Sequence, residues 1–239
     1  MNILIDIGNT RVKYVVDNND QLSAVRTVQC TDIMTELNSL NNIQSIVIVA
    51  VSNQAKVNEI ASWANKQHIQ FKQLHTQAES FGVSNGYDNH LQMGADRWIA
   101  VLGAQASYPK QNLLIVDSGT ATTFDVLNSD SQHLGGWIVP GVELMITSLF
   151  NNTDKVKGAI KNVDSLEFGL NTNDNVNFGC WAASKALIDF AVAQAEKKGS
   201  VIDKVIFTGG NGAQLNKHYA CNSCFDDKLM FVGMQRFIK

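Results

Sequence analysis

The segment LLIVDSGTATTFDVL occupies residues 113–127, and the fold prediction starts from it. An apolar run ends in Asp117, a turn with Gly119 follows, and a Thr-rich, β-branched run returns. This order predicts a strand, a tight turn and an antiparallel strand. An aspartate at a strand end, followed by a turn rich in N–H and hydroxyl donors, suits a metal-bound phosphate. The segment is therefore a candidate phosphate site.

The N-terminus carries a second copy of this pattern, because residues 2–13 read NILIDIGNTRVK. When Asp6 is aligned with Asp117, the glycines of the two turns coincide. The chain is therefore predicted to contain two related halves that build one phosphate clamp across a cleft. Lys13 has no cationic counterpart in the second half, where Phe124 takes its position, so the halves are expected to differ in role.

The start of a predicted helix at Gly94-Ala95-Asp96-Arg97 is a third candidate site. Helix N-termini favour aspartate because of the helix dipole alone, which leaves a purely structural explanation for Asp96 open. The same pair would also place a proton acceptor beside an anion-binding guanidinium. Arg97 can bind a carboxylate through two parallel hydrogen bonds, which lysine cannot do.

The remaining elements alternate between apolar, β-branched runs and amphipathic stretches, which predicts an α/β class with mixed sheets. Residues 46–51 read as a strand buried on both faces. A helix is predicted from Thr31, as its N-cap, to about residue 40. A long helix is predicted over residues 178–198, and a last helix over 229–238.

Two long segments lack periodicity, residues 75–91 and 151–175, and both are expected to be loops over the site. The first contains GVSNG at 82–86, which matches the G-x-S-x-G pattern of serine hydrolases. That motif requires an apolar strand before Ser84 and a helix after it, and neither flank is present. Tyr87 is the better candidate for ligand contact, with an ordinary surface tyrosine as the alternative.

Length, charge and cysteine content narrow the class of protein. The 239 residues suffice for one domain or two small ones, and the net charge of −3 argues against a broad nucleic-acid or anionic-membrane surface. Asp6 interrupts the first apolar run and no run is long enough to span a bilayer, so a cytoplasmic protein is expected. Four cysteines do not make a disulfide scaffold in a chain of this length.

The spacing His218-x-x-Cys221-x-x-Cys224 is a candidate zinc site. The spacing is tolerable, but no second Cys or His pair follows, so a structural metal is not favoured. Near it, residues 209–212 read Gly-Gly-Asn-Gly after a predicted strand. Such a turn allows a planar base or ribose to approach closely, although an ordinary strand-to-helix turn has the same composition.

Five motifs occur in order along nearly the whole chain: Asp6-x-Gly8-Asn9-Thr10-x-x-Lys13, Gly94-Ala95-Asp96-Arg97, Asp117-x-Gly119-Thr120-Ala121-x-Thr123-x-Asp125, Gly135-Gly136-x-Ile138-x-Pro140-Gly141 and Asn171-Thr172. Together they resemble the signature set of type III pantothenate kinases, in the acetate and sugar kinase, Hsp70 and actin superfamily. The resemblance implies two ribonuclease H-like (actin-like ATPase) halves, residues 1–107 and 108–239, each a mixed β-sheet with flanking helices. In that superfamily the turn at Gly209 would contact adenosine.

The resemblance also implies a reaction, ATP-dependent phosphorylation of pantothenate to 4'-phosphopantothenate, the first step of coenzyme A biosynthesis. Asp96 would accept the hydroxyl proton and Arg97 would hold the pantothenate carboxylate. Asp6 would orient Mg²⁺ through water, and Asp117 would help to hold a monovalent cation, K⁺ or NH₄⁺. The implied ATP contacts are Asp6, Ile7, Gly8, Asn9, Thr10, Arg11, Val12, Lys13 and Thr120, and the implied acceptor contacts are Tyr87, Gly94, Ala95, Asp96, Arg97 and Thr172.

The family further implies a homodimer, with the glycine-rich strand and the long helix near the interface. This chain departs from the family in carrying His90 after Asn89, where proline is usual. Phosphate binding must use the paired hairpins, since no Walker A sequence is present.

Two other functions stay open, a kinase of another small hydroxylated acid or sugar and a non-enzymatic, nucleotide-binding transcriptional accessory factor. Asp6, Asp96 and Asp117 favour a kinase, because a mere binder of an anion needs no carboxylates around it. An ATPase chaperone is disfavoured, because no peptide-binding domain remains after the two halves.

Overall fold

The computed structural model of the protein describes residues 1–8, 11–153, 155–219 and 222–238. The chain forms two compact units, the first made of Met1–Tyr108 with Asp227–Lys239 and the second of Pro109–Asp226. Each unit has its own sheet and its own apolar core.

The elements are as follows in chain order. The strands are β1 Asn2–Ile7, β2 Arg11–Asn18, β3 Gln21–Leu22, β4 Arg26–Gln29, β5 Ser45–Ala50, β6 Gln70–Gln73, β7 Glu79–Ser80, β8 Val83–Ser84, β9 Leu113–Ser118, β10 Ala121–Leu127, β11 His133–Pro140, β12 Lys204–Thr208 and β13 Ser223–Phe225. The helices are α1 Ile33–Ser39, α2 Gln54–Lys66, α3 Ala95–Ser107, α4 Val142–Asn152, α5 Thr172–Lys197, α6 Gly212–His218 and α7 Leu229–Gln235, with a 3-10 helix at His90–Gln92.

The sheet of the first unit has the order β3-β2-β1-β5-β6, and β4 also pairs with β2. β1 runs antiparallel to β2 and parallel to β5, and β5 runs parallel to β6. Residues 3–5 and 46–49 are almost wholly buried, as expected of central strands covered on both faces. The carboxyl ends of β1 and β5 therefore lie side by side at one edge of the sheet.

The sheet of the second unit repeats this plan in the order β11-β10-β9-β12-β13. β9 is antiparallel to β10 and parallel to β12, which in turn is parallel to β13. Each unit thus joins an antiparallel hairpin to two further parallel strands. The predicted α/β class with two mixed sheets is confirmed, and the duplicated hairpins occupy equivalent positions.

α7 follows the second unit in sequence but packs on α3 of the first. A Cβ atom at Gly103 would lie 1.9 Å from the backbone oxygen of Leu229, and one at Gly233 would lie 2.0 Å from that of Ile99. Only glycine leaves room for this helix contact. The family resemblance implied that residues 227–239 belong to the second half. Periodicity could not show otherwise, because it indicates that a helix has a buried face but not what covers it.

Several predicted boundaries differ from those observed. α1 begins at Ile33 with Asp32 at the N-cap position, rather than Thr31, whose hydroxyl donates to Asp32 Oδ1 at 2.8 Å. α5 begins at Thr172, before the predicted residue 178. The segment 75–91 is not a plain loop, since it contains the β7–β8 hairpin and the 3-10 helix.

α5 covers the core of the second unit and is the longest helix of the described residues. It buries Trp181, Ser184 and Ile188. Across the described ranges, no helix combines the length and apolar character needed to cross a membrane.

Candidate active site

The hairpin of the first unit places Asp6 and Lys13 at opposed positions of β1 and β2. Directly opposed residues of an antiparallel pair project from the same face of the sheet. The Gly8 N–H donates to the backbone oxygen of Arg11 at 3.1 Å and closes the turn. Asn9 and Thr10, two of the predicted phosphate contacts, lie outside the described residues.

The first turn of α3 lies at the same edge of this sheet. Asp96 Oδ1 accepts a hydrogen bond from the Arg97 N–H at 2.8 Å. A Cβ at Gly94 would lie 2.6 Å from this Oδ1 and 3.8 Å from Val51 Cγ1, so the carboxylate folds back over the helix start beside the end of β5. Since Ile7 pairs with Ala50, the end of β1 and the Asp96 carboxylate share the carboxyl-end edge of the sheet.

Arg97 and Tyr87, both predicted to contact the acceptor, are in direct contact with each other. Arg97 Nη1 donates to the Tyr87 hydroxyl at 2.7 Å, and the guanidinium carbon lies 5.7 Å from the ring centroid. Arg97 is only 6% exposed. A buried guanidinium at a helix start, next to a phenol, can bind a small carboxylate with good geometry.

Asn85 contacts the backbone of Tyr87, and this contact was not predicted from the sequence. Its Oδ1 accepts a hydrogen bond from the Tyr87 N–H at 3.0 Å, and its Nδ2 lies 3.4 Å from Met93 Sδ. An asparagine bonded to the N–H two residues later is an Asx turn, so the spacing Asn85-x-Tyr87 was a usable signal. Nearby, His90 is the first residue of a 3-10 helix capped by Asn89.

The hairpin of the second unit packs against two other glycine-containing segments, and Asp117 lies against the one that holds Gly209. A Cβ at Gly209, whose φ is +82°, would lie 2.3 Å from Asp117 Oδ1. A Cβ at Gly141 would lie 2.1 Å from the backbone oxygen of Gly119, and the Gly141 N–H donates to the Thr120 oxygen at 2.9 Å. The segments that contain Gly141 and Gly209 thus pack against the turn between β9 and β10. Thr120, within that turn, is exposed.

Thr172 stands at the first position of α5, in the second unit, and is exposed. Asn171 caps the helix by accepting from the Asp174 N–H at 3.0 Å. Lys161 forms an ion pair with Asp174, and its hydrogen bond is the main reason that the pKa of that carboxyl lies below its usual range. The loop before α5 is therefore fastened to the helix start that carries Thr172.

The zinc ligand set receives no support. Cys221 lies outside the described residues, and His218 Nε2 lies 3.1 Å from the backbone oxygen of Val163. Within the described part of the chain, no group of three His, Cys, Asp or Glu side chains is placed to hold a metal. Ser84 lies on the two-residue strand β8, which is not the strand-to-helix elbow of a serine hydrolase.

Comparison with known proteins identifies the family. The family model of type III pantothenate kinase matches residues 2–194. A type III pantothenate kinase of Colwellia psychrerythraea is 36% identical over 249 aligned positions, which cover 99% of this chain and all of the relative. The chain belongs to the type III pantothenate kinase family. The matched residues include both hairpins, the first turn of α3 and the N-terminus of α5.

Solved structures support the fold at lower identity. A Campylobacter jejuni protein described as a Baf family transcriptional activator has a TM-score of 0.62 at 22% identity, over 99% of this chain and 96% of its own. A Sinorhizobium meliloti protein described as a 2-dehydro-3-deoxygalactonokinase has a TM-score of 0.59 at 12% identity, over 99% and 95% of the two chains. These likenesses agree with the ribonuclease H-like, actin-like fold that the motifs predicted.

Proposed function

We propose that this protein transfers the γ-phosphoryl group of ATP to the hydroxyl of pantothenate, giving 4'-phosphopantothenate for coenzyme A biosynthesis. One observation carries the proposal: the first turn of α3 joins a carboxylate, Asp96, to a buried guanidinium, Arg97, that already contacts Tyr87. This motif lies within the part of the chain that the family model matches.

The acceptor site takes its polar groups from the first turn of α3. Asp96 accepts the proton of the attacking hydroxyl, and a loose transition state asks little of this base. Arg97 binds the pantothenate carboxylate through its guanidinium fork, with Tyr87 as a second donor. Gly94 and Ala95 give the acceptor access to the helix start, where the dipole favours an anion. Thr172 would add a further contact.

The nucleotide site uses the paired hairpins. The segment from Asp6 to Lys13 holds the ATP phosphates, and Lys13 offsets their negative charge. Thr120 donates from the hairpin of the second unit, where this residue is exposed. The prediction that the two hairpins meet on one nucleotide stays a prediction.

The metal ions have suitable ligands in both hairpins. Asp6 would hold Mg²⁺ through water, and Asp117 would hold K⁺ or NH₄⁺. The half-buried carboxylate of Asp117 lies beside a backbone turn, and oxygen donors of this kind fit hard cations. When bound, the divalent ion supplies charge neutralisation at the phosphates.

A homodimer and a cytoplasmic location complete the proposal. β11 and α5 enclose a hollow of about 250 Å³ lined by Gly135, Gly136 and Trp137, among others. Ile138 on β11 is 63% exposed and Phe190 on α5 is 52% exposed, which is unusual for a face open to water. A second copy of the chain would cover these groups.

An acceptor panel tests the function. ADP release is measured with ATP, Mg²⁺ and K⁺ for pantothenate, other small hydroxylated acids and sugars, each also with Na⁺ in place of K⁺. We expect release only with pantothenate and a strong dependence on K⁺. Equal or greater release with another acceptor would assign a different kinase, and nucleotide binding without turnover on any acceptor would favour the accessory factor.

A further inference from the structure

We call residues 75–91 the substrate loop, because this segment carries Tyr87. The β7–β8 hairpin within it has a strained backbone. β7 and β8 are joined by Phe81 and Gly82 alone, with φ values of +52° and +77°. A two-residue hairpin with both φ values positive is normally built from Asn-Gly, because asparagine and glycine tolerate the left-handed region. Phenylalanine does not, and such outliers persist only when surrounding contacts hold them in place.

The C-terminal segment supplies contacts to this turn. The Arg236 guanidinium carbon lies 4.3 Å from the centroid of the Phe81 ring, and Nη2 lies 3.5 Å from the Phe81 backbone oxygen. The Phe237 ring meets the Phe81 ring edge-on at a centroid distance of 4.9 Å. Lys72 in turn donates to the Phe237 backbone oxygen at 3.3 Å and lies over its ring.

Arg236 is fixed from the opposite side by α3, the helix that begins with Asp96 and Arg97. Its Nη1 donates to the backbone oxygen of Leu102 and to Gln105 Oε1, both at 2.9 Å. Partial burial lowers the pKa of the Arg236 guanidinium. The guanidinium therefore bridges the body of α3 and the tip of the hairpin.

The hairpin leads directly to the predicted substrate contact. The Asn85 N–H, just after β8, donates to the Ala78 oxygen at 2.9 Å, and Asn85 Oδ1 accepts from the Tyr87 N–H. Tyr87 then reaches Arg97 at 2.7 Å. A continuous series of contacts thus runs from Arg236 through the hairpin to Tyr87, all within the first unit.

We propose that Arg236 and Phe237 are positioning residues for the acceptor site, which clamp the hairpin at Phe81 so that Tyr87 stays in contact with Arg97. This rests on the proposed function for the identity of the acceptor. The clamp lowers no barrier itself. It raises the fraction of molecules in which the substrate loop has its binding-competent conformation. The apparent affinity for the acceptor is proportional to that fraction.

The test compares Arg236→Leu with the wild-type full-length protein. The variant should raise the KM for pantothenate by about tenfold, while kcat and the KM for ATP change by less than about twofold. Lys228→Leu is the matched control, because Lys228 also ties the C-terminal segment to the first unit, at the Leu22 oxygen 3.2 Å away, but makes that contact away from the hairpin. An unchanged pantothenate KM, or a fall in kcat alone, would refute the positioning role.

A rescue experiment separates positioning from simple stabilisation of α7. Phe81→Asn, added to Arg236→Leu, places a residue that tolerates positive φ at the turn. We expect the second substitution to return the pantothenate KM to within about threefold of wild type, since a turn with asparagine at positive φ does not need the contact from Arg236. If Arg236 merely fastens α7 to α3, the second substitution restores nothing, and that result would overturn the proposal. Should Arg236→Leu fail to fold, Arg236→Lys carries the same comparison.

Hydrogen exchange distinguishes failure of this inference from failure of the proposed function. Amides of residues 79–88 should exchange faster in Arg236→Leu than in wild type, whatever the acceptor. Faster exchange in the variant, in a protein that shows no pantothenate kinase activity, would support the clamp at Phe81 and contradict the proposed function. Equal exchange in both proteins would contradict the proposal that Arg236 clamps the hairpin.

Discussion

Replacing Asp96 by asparagine separates the chemical role of this residue from its structural role. Asparagine keeps an oxygen that can accept from the Arg97 N–H, now at 2.8 Å, and it keeps the volume that lies over Gly94. It removes the negative charge from the first turn of α3, which is worth about 0.3–1 kcal/mol of stability. It also removes the group that accepts the hydroxyl proton.

The expected loss of activity is much larger than the loss of stability. General base catalysis contributes about 10²–10⁴ in rate, and a loose phosphoryl transfer belongs at the lower end. We therefore expect kcat to fall about 10²-fold or more, which corresponds to about 2.7 kcal/mol at the lower limit. The melting temperature should fall by less than about 4 °C.

Steady-state ADP release with pantothenate, at saturating ATP, measures kcat, and calorimetry measures the melting temperature. The KM for ATP should stay within about twofold of wild type, because Asp96 is assigned to the acceptor. Glu36→Gln is the control, since it removes an acidic residue from the first turn of α1 in the same unit. A kcat for Asp96→Asn within threefold of wild type would refute the base role.

Three further substitutions test separate parts of the account. Arg97→Lys should raise the pantothenate KM by about tenfold, because lysine cannot reproduce the two-pronged hydrogen bond, and an unaltered KM would argue against the carboxylate contact. Gly209→Ala should lower the free energy of unfolding, measured by urea titration, by about 2–4 kcal/mol. The backbone at this position has a positive φ, and the new Cβ would lie 2.3 Å from Asp117 Oδ1. Gly210→Ala has open space for its Cβ and should cost less than about 0.5 kcal/mol, so equal effects at the two glycines would contradict this packing. Gly233→Ala should destabilise the first unit by about 3 kcal/mol, because its Cβ would clash with α3. Gly179→Ala is its control, since a Cβ at this position of α5 meets no other atom. A thermal scan that finds Gly233→Ala as stable as wild type would disprove the close helix contact.

The sheets and the hairpin turns could be predicted from sequence because their signals are local. An apolar run, an aspartate and a glycine turn specify a strand and its reversal without knowledge of any distant residue. The same pattern at Asp6 and Asp117 indicated the duplication, and the strand order of the two sheets repeats it. The contact of Arg97 with Tyr87 was not predicted, because local spacing does not relate the two residues.

The features that sequence did not predict depend on distant contacts. The first turns of α5 are rich in asparagine, which favours caps and turns, so the prediction began too late. In the structure Asn177 is fully buried and bonds the Ala159 oxygen and the Lys161 N–H of the preceding loop. The hairpin at Phe81 was missed for a related reason, because phenylalanine is not a turn residue and the guanidinium that contacts its ring, that of Arg236, lies far along the chain.

The most direct measurement is identification of the product by mass spectrometry after incubation of the purified protein with ATP, Mg²⁺, K⁺ and pantothenate. The account predicts 4'-phosphopantothenate in one-to-one ratio with ADP, and no more than about a hundredth of either product for Asp96→Asn in the same period. ADP without phosphopantothenate, or no ADP at all from the folded wild-type protein, would contradict it.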